Sequence, residues 1–326
     1  MPSSTSSSER RDATRAIAAL LIGLSAYCLA LDIGARAGFA RVSRIQGRVA
    51  RDLWTARALR PRASTGEPTM LIVGNSLLLH GVERESLTRR LAREYQVVLL
   101  PIENTQYEDW YFGLRRLFAD GARPAIIGVA LTTRQLMSST TFGERFARLL
   151  MRPADLLEVK RASDLDNTTA SAYFFANLSE WLGSRGEIRS WLFFKLIPGL
   201  EEVTALFPPK KADLPPSAQV AAAAMPHLQA LDRLCREHGA RLVVIVPPTL
   251  SEDGASAAVQ AAAAGAGIAF VVPMRPGEIS SGDFLDGFHL NPGGAARFTP
   301  RLGEALLAAL RIRGAAAFTA SSPPAP

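Results

Sequence analysis

From residue 66 onward the chain alternates short, continuous apolar runs with segments of helical period. Five runs read as strands: 70–74 (MLIVG), 96–100 (QVVLL), 124–130 (PAIIGVA), 241–246 (RLVVIV) and 268–272 (IAFVV). They are rich in Val, Ile and Leu with no polar alternation, the pattern of strands covered on both faces. Helices are predicted between and after them, at about 83–93, 108–120, 218–238, 253–265 and 293–311. Strand–helix alternation of this kind predicts an α/β fold, a parallel five-stranded sheet with helices on both faces. One interval breaks the rhythm. About 110 residues separate the third and fourth strands, far more than a crossover helix needs. The stretch 135–215 reads as a helical insertion over the edge of the sheet that carries the candidate chemistry. Its aromatic residues, Tyr173, Phe174, Phe175, Trp181, Trp191, Phe193 and Phe194, read as ordinary core. It ends in a proline-rich basic loop, PPKKADLPP at 208–216.

The N-terminal pattern is different. Residues 16–31 (AIAALLIGLSAYCLAL) carry no charge, and the run grows to about 20 residues if Asp32 sits at an interface. At about 1.5 Å per residue this just spans a hydrocarbon core of about 30 Å. Arg10, Arg11 and Arg15 precede the run, which argues against a buried core helix. An uncleaved signal anchor over 16–35 is the preferred reading, with the rest of the chain outside the cytoplasm. A cleaved signal peptide is the alternative, through small residues at Cys28 and Ala30 or at Ala35 and Ala37. The bulky Tyr27 before Cys28 argues against a lipoprotein site. Residues 36–65, with eight arginines from Arg36 to Arg62, read as a basic linker leading to the domain at 66–311. The ends, 1–15 and 312–326, are rich in Ser, Ala and Pro and are expected to be disordered.

Composition sharpens this picture in three places. With 48% hydrophobic and 21% charged residues, a chain of 326 residues can bury a full core. The net charge of +7 is concentrated around the apolar run, which points to a membrane surface. No nucleic-acid motif accompanies it, so no nucleic-acid partner is expected. Cys28 and Cys235 make no disulfide framework, and His80, His227, His238 and His289 show no metal-ligand spacing, so neither metal nor cofactor is expected.

Candidate chemistry sits at two distant places. The first predicted strand ends in Gly74-Asn75-Ser76-Leu77 with a helix a few residues on, which puts Ser76 at the carboxyl end of a parallel strand. Open α/β sheets gather their ligands at that edge. Taken alone, this segment reads equally well as a strand-to-helix turn capped by Asn75 or Ser76. The second place is the loop after the fifth strand, DFLDGFHLNPGG at 283–294. Asp286 stands three residues before His289, close enough to hold one imidazole nitrogen while the other accepts a serine proton. Asp283 is the second candidate for the orienting acid. His80 reads as a surface residue able to face Ser76 across a helical turn, and His238 as a helix C-terminal residue. Glu103 and Asp109 are candidates to line the cleft.

GNSLL and DGFHLN, in this order along a strand–helix chain, resemble the SGNH/GDSL hydrolase superfamily. The resemblance covers residues 70–311, with Asn75 where the family usually has Asp. It implies a three-layer, flavodoxin-like α/β/α fold with Ser76 as nucleophile, His289 as base and Asp286 as its partner. Two middle motifs of the family, a glycine after the second strand and an asparagine after the third, are not present in standard form. Pro101-Ile102-Glu103-Asn104-Thr105-Gln106 and Leu131-Thr132-Thr133-Arg134 stand there instead. An oxyanion hole would then use the Ser76 N–H with Asn104, Thr105 or Thr133, and each such donor is worth about 2.7–4 kcal/mol.

An N-terminal anchor and a large insertion make the chain similar to members that act on cell-envelope polymers. The resemblance implies acyl transfer or ester hydrolysis, most simply O-acetyl modification of an extracytoplasmic polysaccharide. An acylated glycan or small ester would be the substrate, and a membrane acyl-transfer protein a partner. A catalytically inactive binding or scaffold subunit is the competing expectation, supported by the missing middle motifs.

Overall fold

The computed structural model describes residues 7–60, 67–197, 216–250, 255–275 and 277–320. Helices α1 (Ser7–Val42) and α2 (Arg44–Arg57) come first, then β1 (Thr69–Gly74), α3 (Ser76–Gly81), α4 (Arg84–Leu91), β2 (Gln96–Pro101) and α5 (Tyr107–Ala119). Next come β3 (Ile126–Ala130) and the inserted helices α6 (Thr133–Leu136), α7 (Gly143–Leu149), α8 (Leu156–Ala162), α9 (Asn167–Leu178) and α10 (Glu180–Leu196). The chain closes with α11 (Ser217–Glu237), β4 (Arg241–Ile245), α12 (Ala255–Gly265), β5 (Ala269–Val271) and α13 (Pro292–Ala320).

All five strands are parallel, in the order β2-β1-β3-β4-β5. The order reverses beside β1, so its carboxyl end stands at the switch point where such sheets open a crevice. Successive side chains alternate between faces. Leu71, Val73, Val98, Leu100, Ile127 and Val129 pack under α2, α5, α11 and α12. Met70, Ile72, Val97, Leu99 and Ile126 pack under α4 and α13, which bring Leu87, Leu91, Phe298, Leu302 and Leu306. This is the three-layer α/β/α arrangement that the alternation predicts. Gly74 is required by close approach: opposite both Pro101 and Ala130, a Cβ there would lie 2.7 Å from the Ala130 carbonyl oxygen.

Several local expectations change. Residues 36–65 do not act as a linker throughout, because α2 packs on the sheet. Val49, Leu53 and Ala56, spaced four and three apart, form one buried face of a helix whose other face carries arginine. Both predicted tails are partly helical: α1 begins at Ser7 and α13 continues to Ala320. Glu, Arg and Ala after residue 8, and the alanines at 315–317, extend helices that are already nucleated. Residues 1–6 and 321–326 of the tails, 61–66 of the expected linker and 208–215 of the basic loop lie outside the described residues. The insertion is helical through Leu196, yet its aromatic residues are not core as expected. Tyr173 is buried, whereas Phe174, Phe175, Trp191 and Phe193 are exposed. Helices α9 and α10 spend their inner faces on α7 and α1, which leaves these rings outside.

Candidate active site

Ser76 is the first residue of α3, so its hydroxyl is presented where the chain leaves β1. Its backbone N–H has no intrahelical acceptor, as for any first-turn residue. Asn75 builds this turn: its carboxamide oxygen accepts the Leu77 N–H at 3.0 Å and its amide donates to the Thr105 carbonyl at 3.1 Å. The loop after β2 is fastened to the same turn. Ile102 N–H donates to the Gly74 carbonyl at 2.9 Å, and the Thr105 hydroxyl lies 2.7 Å from the Ile102 carbonyl and 3.3 Å from that of Gly74.

The loop after β5 supplies the other two side chains. Asp286 Oδ1 accepts the backbone N–H groups of Phe288 at 2.9 Å and His289 at 2.7 Å. Gly287 between them takes φ 78°, a left-handed conformation that glycine adopts at no steric cost. The imidazole Nδ1 of His289 lies 2.7 Å from Asp286 Oδ2, and its Nε2 lies 2.9 Å from Ser76 Oγ. Asp286 therefore stands as an ionised acceptor for Nδ1–H, and in that neutral tautomer Nε2 is placed to accept the Ser76 hydroxyl. Partial burial pushes the Asp286 carboxyl up, but the three donors from His289 and Phe288 outweigh it and hold the group down to about 2.

The loop is rigidly mounted. Phe284 and Leu290 pair as an antiparallel bridge, and Asn291 N–H donates to the Asp283 carbonyl at 2.8 Å. Beneath it, the Thr299 hydroxyl of α13 accepts the Glu83 N–H at 3.0 Å, tying this helix to the segment after Ser76. His80 is exposed, as expected of a surface residue, and its ring stands edge-on to His289 with centroids 5.2 Å apart. Partial burial and the neighbouring His289 both lower the His80 pKa, which favours its neutral form.

The remaining candidates separate into two groups. Asn104 adopts φ 63°, is exposed, and makes no side-chain hydrogen bond among the described residues. Thr133 is buried at the start of α6, and its hydroxyl has no partner among the described residues. Both are uncommitted donors in the loops after β2 and β3. Thr105 is not, because its hydroxyl bonds within the turn and accepts the Trp110 indole N–H at 2.9 Å. Asp283 is likewise committed to Ser280, at 2.9 Å from both its N–H and its hydroxyl, and to Arg297, so it does not reach His289 as the orienting acid. Glu103 is neutralised by Arg48 and Arg145. Asp109 is fully buried and accepts the N–H groups of Gln106 and Phe142, a structural role rather than a cleft-lining one. His238 caps α11 and stacks on Phe118 at 4.3 Å. The arginines that hold Glu103 went unread in the sequence, since Arg48 stands in a run of similar residues and Arg145 is distant along the chain.

No protein-family model matches the chain, and no curated protein does either. Among solved structures, the chain is similar to TesA, at 17% identity over 74% of this chain and 99% of that one, with a TM-score of 0.36. It is also similar to a GDSL-like lipase from Bacteroides thetaiotaomicron VPI-5482, at 10% identity over 80% of this chain and 98% of that one, with a TM-score of 0.39. At these scores neither likeness bears on the chemistry. The sheet order, the serine after β1 and the Asp-x-x-His loop after β5 stand where the SGNH/GDSL resemblance of the sequence places them.

Proposed function

We propose that the protein is a serine-dependent acyl-transfer enzyme that forms a covalent acyl group on Ser76. The observation that carries this reading is the unbroken chain from Ser76 Oγ to His289 Nε2 at 2.9 Å and from His289 Nδ1 to Asp286 Oδ2 at 2.7 Å. In the first half-reaction the Ser76 oxygen attacks the ester carbonyl as its proton passes to Nε2, and Asp286 stabilises the imidazolium. Negative charge develops on the carbonyl oxygen, where the Ser76 N–H and the uncommitted donors Asn104 and Thr133 are the available groups. Collapse breaks the ester bond, and the leaving alkoxide takes the proton from Nε2. In the second half-reaction a sugar hydroxyl or water attacks the acyl group, giving its proton to Nε2; collapse breaks the Ser76–acyl bond, and Nε2 returns the proton to the Ser76 oxygen.

The substrate we infer is an acetylated, or otherwise acylated, extracytoplasmic polysaccharide. Helix α1 includes a segment, Arg11–Gly38, long and apolar enough to cross a membrane. Read as a signal anchor, it would hold the domain at the outer membrane–water boundary, beside envelope polymers and any membrane-borne acyl donor. The test offers the purified full-length chain an activated acetyl ester with and without polysaccharide. Transfer predicts acceptor-dependent turnover with little free acetate. Acetate release that no acceptor diverts identifies an esterase, and no turnover from a folded sample favours a binding or scaffold role.

A further inference from the structure

A cavity that does not include Ser76 or His289 lies between the C-terminal half of α1 and helix α10. It holds about 880 Å³ and opens to the outside. That is within the range of about 300–1,000 Å³ typical of small-molecule sites. Much of its lining is apolar, with Leu31, Gly34 and Ala35 on α1 and Ile188 and Trp191 on α10, and Asn104 also lines it.

The placement of α1 fixes where this groove meets its surroundings. Asp32 accepts the Ser179 hydroxyl at 2.9 Å and the Trp181 N–H at 3.2 Å, and Arg36 donates to the Leu178 carbonyl at 3.1 Å. From Asp32 on, α1 is therefore docked on the domain. Before it, Ile17, Leu20, Ile22, Leu24 and Leu29 are all more than half exposed. The lining of the groove on α1 starts at Ala30, and Ile33 just beyond it is still exposed. Trp191, Leu192, Phe193 and Leu196 on α10 add further exposed apolar surface.

Charge distinguishes one rim of the groove. Of its ionisable lining groups, Glu144 pairs with Arg185, and Arg145 pairs with Glu187 and Glu103. Arg189 is exposed and has no acidic partner among the described residues. An apolar groove continuous with a membrane-facing helix, with one uncompensated guanidinium at its rim, matches an amphiphile with a hydrocarbon chain and an anionic phosphate. A guanidinium presents planar donors suited to phosphate oxygens.

We propose that this groove binds one acyl chain of an anionic phospholipid, with Arg189 on its phosphate. The proposal rests on α1 being a membrane helix and is independent of the chemistry at Ser76. Asn104 lines the groove, and its neighbour Thr105 is bonded to the Ser76 turn. A bound lipid would thus lie beside the loop that carries a candidate oxyanion donor.

Gly34 and Gly186 offer a clean test, because a Cβ at either meets nothing within 4 Å and neither needs a left-handed backbone. Leucine at these positions fills the groove without displacing the fold, which an unchanged unfolding temperature would verify. The full-length chain is reconstituted in phosphatidylcholine vesicles containing phosphatidylglycerol with a photoactivatable acyl chain, and labelled peptides are mapped. Labelling is expected to concentrate on residues 181–191, and Gly34→Leu or Gly186→Leu should lower it about tenfold. Arg189→Gln should abolish the preference for phosphatidylglycerol over an equally labelled phosphatidylcholine. Ser76→Ala should label as strongly as the unmodified chain, which separates failure of the acyl chemistry from failure of the groove. Labelling confined to residues 16–29, or unchanged in both leucine variants, overturns the groove alone. Displacement by an isoprenyl phosphate but not by unlabelled phosphatidylglycerol overturns the choice of lipid. A chain that fails to float with the vesicles overturns the groove together with the membrane reading.

Discussion

The side-chain amide of Asn75 donates to the carbonyl of Thr105 at 3.1 Å while its oxygen accepts the N–H of Leu77 at 3.0 Å. A carboxylate can make only the second of these bonds. Asparagine in place of the family's usual aspartate is therefore matched to the local geometry: the turn bearing Ser76 and the loop bearing Asn104 are joined by a donor that aspartate lacks.

It follows that Asn75→Asp, although it restores the common motif, weakens this protein. Residue 75 is almost fully buried, so an aspartate there would set its charge against the Thr105 carbonyl. A loss of about 1–3 kcal/mol is expected, the cost of an unsatisfied buried polar group. Chemical denaturation of the two proteins measures it, and an unchanged midpoint would contradict this account of Asn75.

The docking of α2 gives a second expectation. Val49 and Leu53 are buried against the sheet layer, so Leu53→Ala should cost about 2–5 kcal/mol. A truncation starting at residue 66 should be destabilised relative to one starting at residue 43. Equal unfolding midpoints for the two truncations would return residues 44–57 to the role of a linker.

Burial lifts the carboxyl of Asp109 from 3.8 to about 7, against the opposing pull of the Phe142 and Gln106 N–H groups, and lifts Glu108 from 4.5 to about 7. The folded state thus holds these protons more tightly than the unfolded chain does. Their contribution to stability is fully present below about pH 4 and is lost as pH rises towards 7. The unfolding midpoint is expected to fall across that window, and the fall should be shallower in Asp109→Asn. Because Asn cannot accept both N–H groups, this variant should be less stable than the parent at pH 4. A parallel pH profile in the two proteins would contradict the assignment.

Asn104 and Thr133 compete as the second oxyanion donor, and their variants distinguish them. Removing a donor of this kind lowers kcat by about 10²–10³-fold with little change in KM. Asn104→Ala and Thr133→Val, each checked for folding, should show which loop supplies it. If neither variant changes kcat, the Ser76 N–H acts without help from either loop.

Much of the architecture was readable because it is written locally. Each strand is an uninterrupted apolar run, as expected when both faces are covered, and their predicted positions differ from the observed ones by two residues or fewer. Asp286 and His289 are three residues apart in one loop, so their pairing needs no knowledge of the rest of the fold. Other features depend on partners far along the chain. The Thr105 hydroxyl is spent between Trp110 and the end of β1, and Glu103 is held by Arg48 and Arg145, which no spacing reveals. The buried face of α2 is three small or aliphatic side chains among arginines, a weak periodic signal beneath a strong charge signal. The exposed rings of α9 and α10 were read as core because aromatic residues usually are.

The most direct measurement of the central claim is covalent capture of Ser76. The folded full-length chain is treated with a fluorophosphonate, and the modified peptide is identified by mass. The account predicts one adduct on Ser76, absent in Ser76→Ala and far slower in His289→Ala. Asp286→Asn, which removes the acceptor for His289 Nδ1–H, should slow ester turnover by about 10⁴-fold. No adduct on Ser76 in a folded sample, or one formed equally fast without His289, would contradict it.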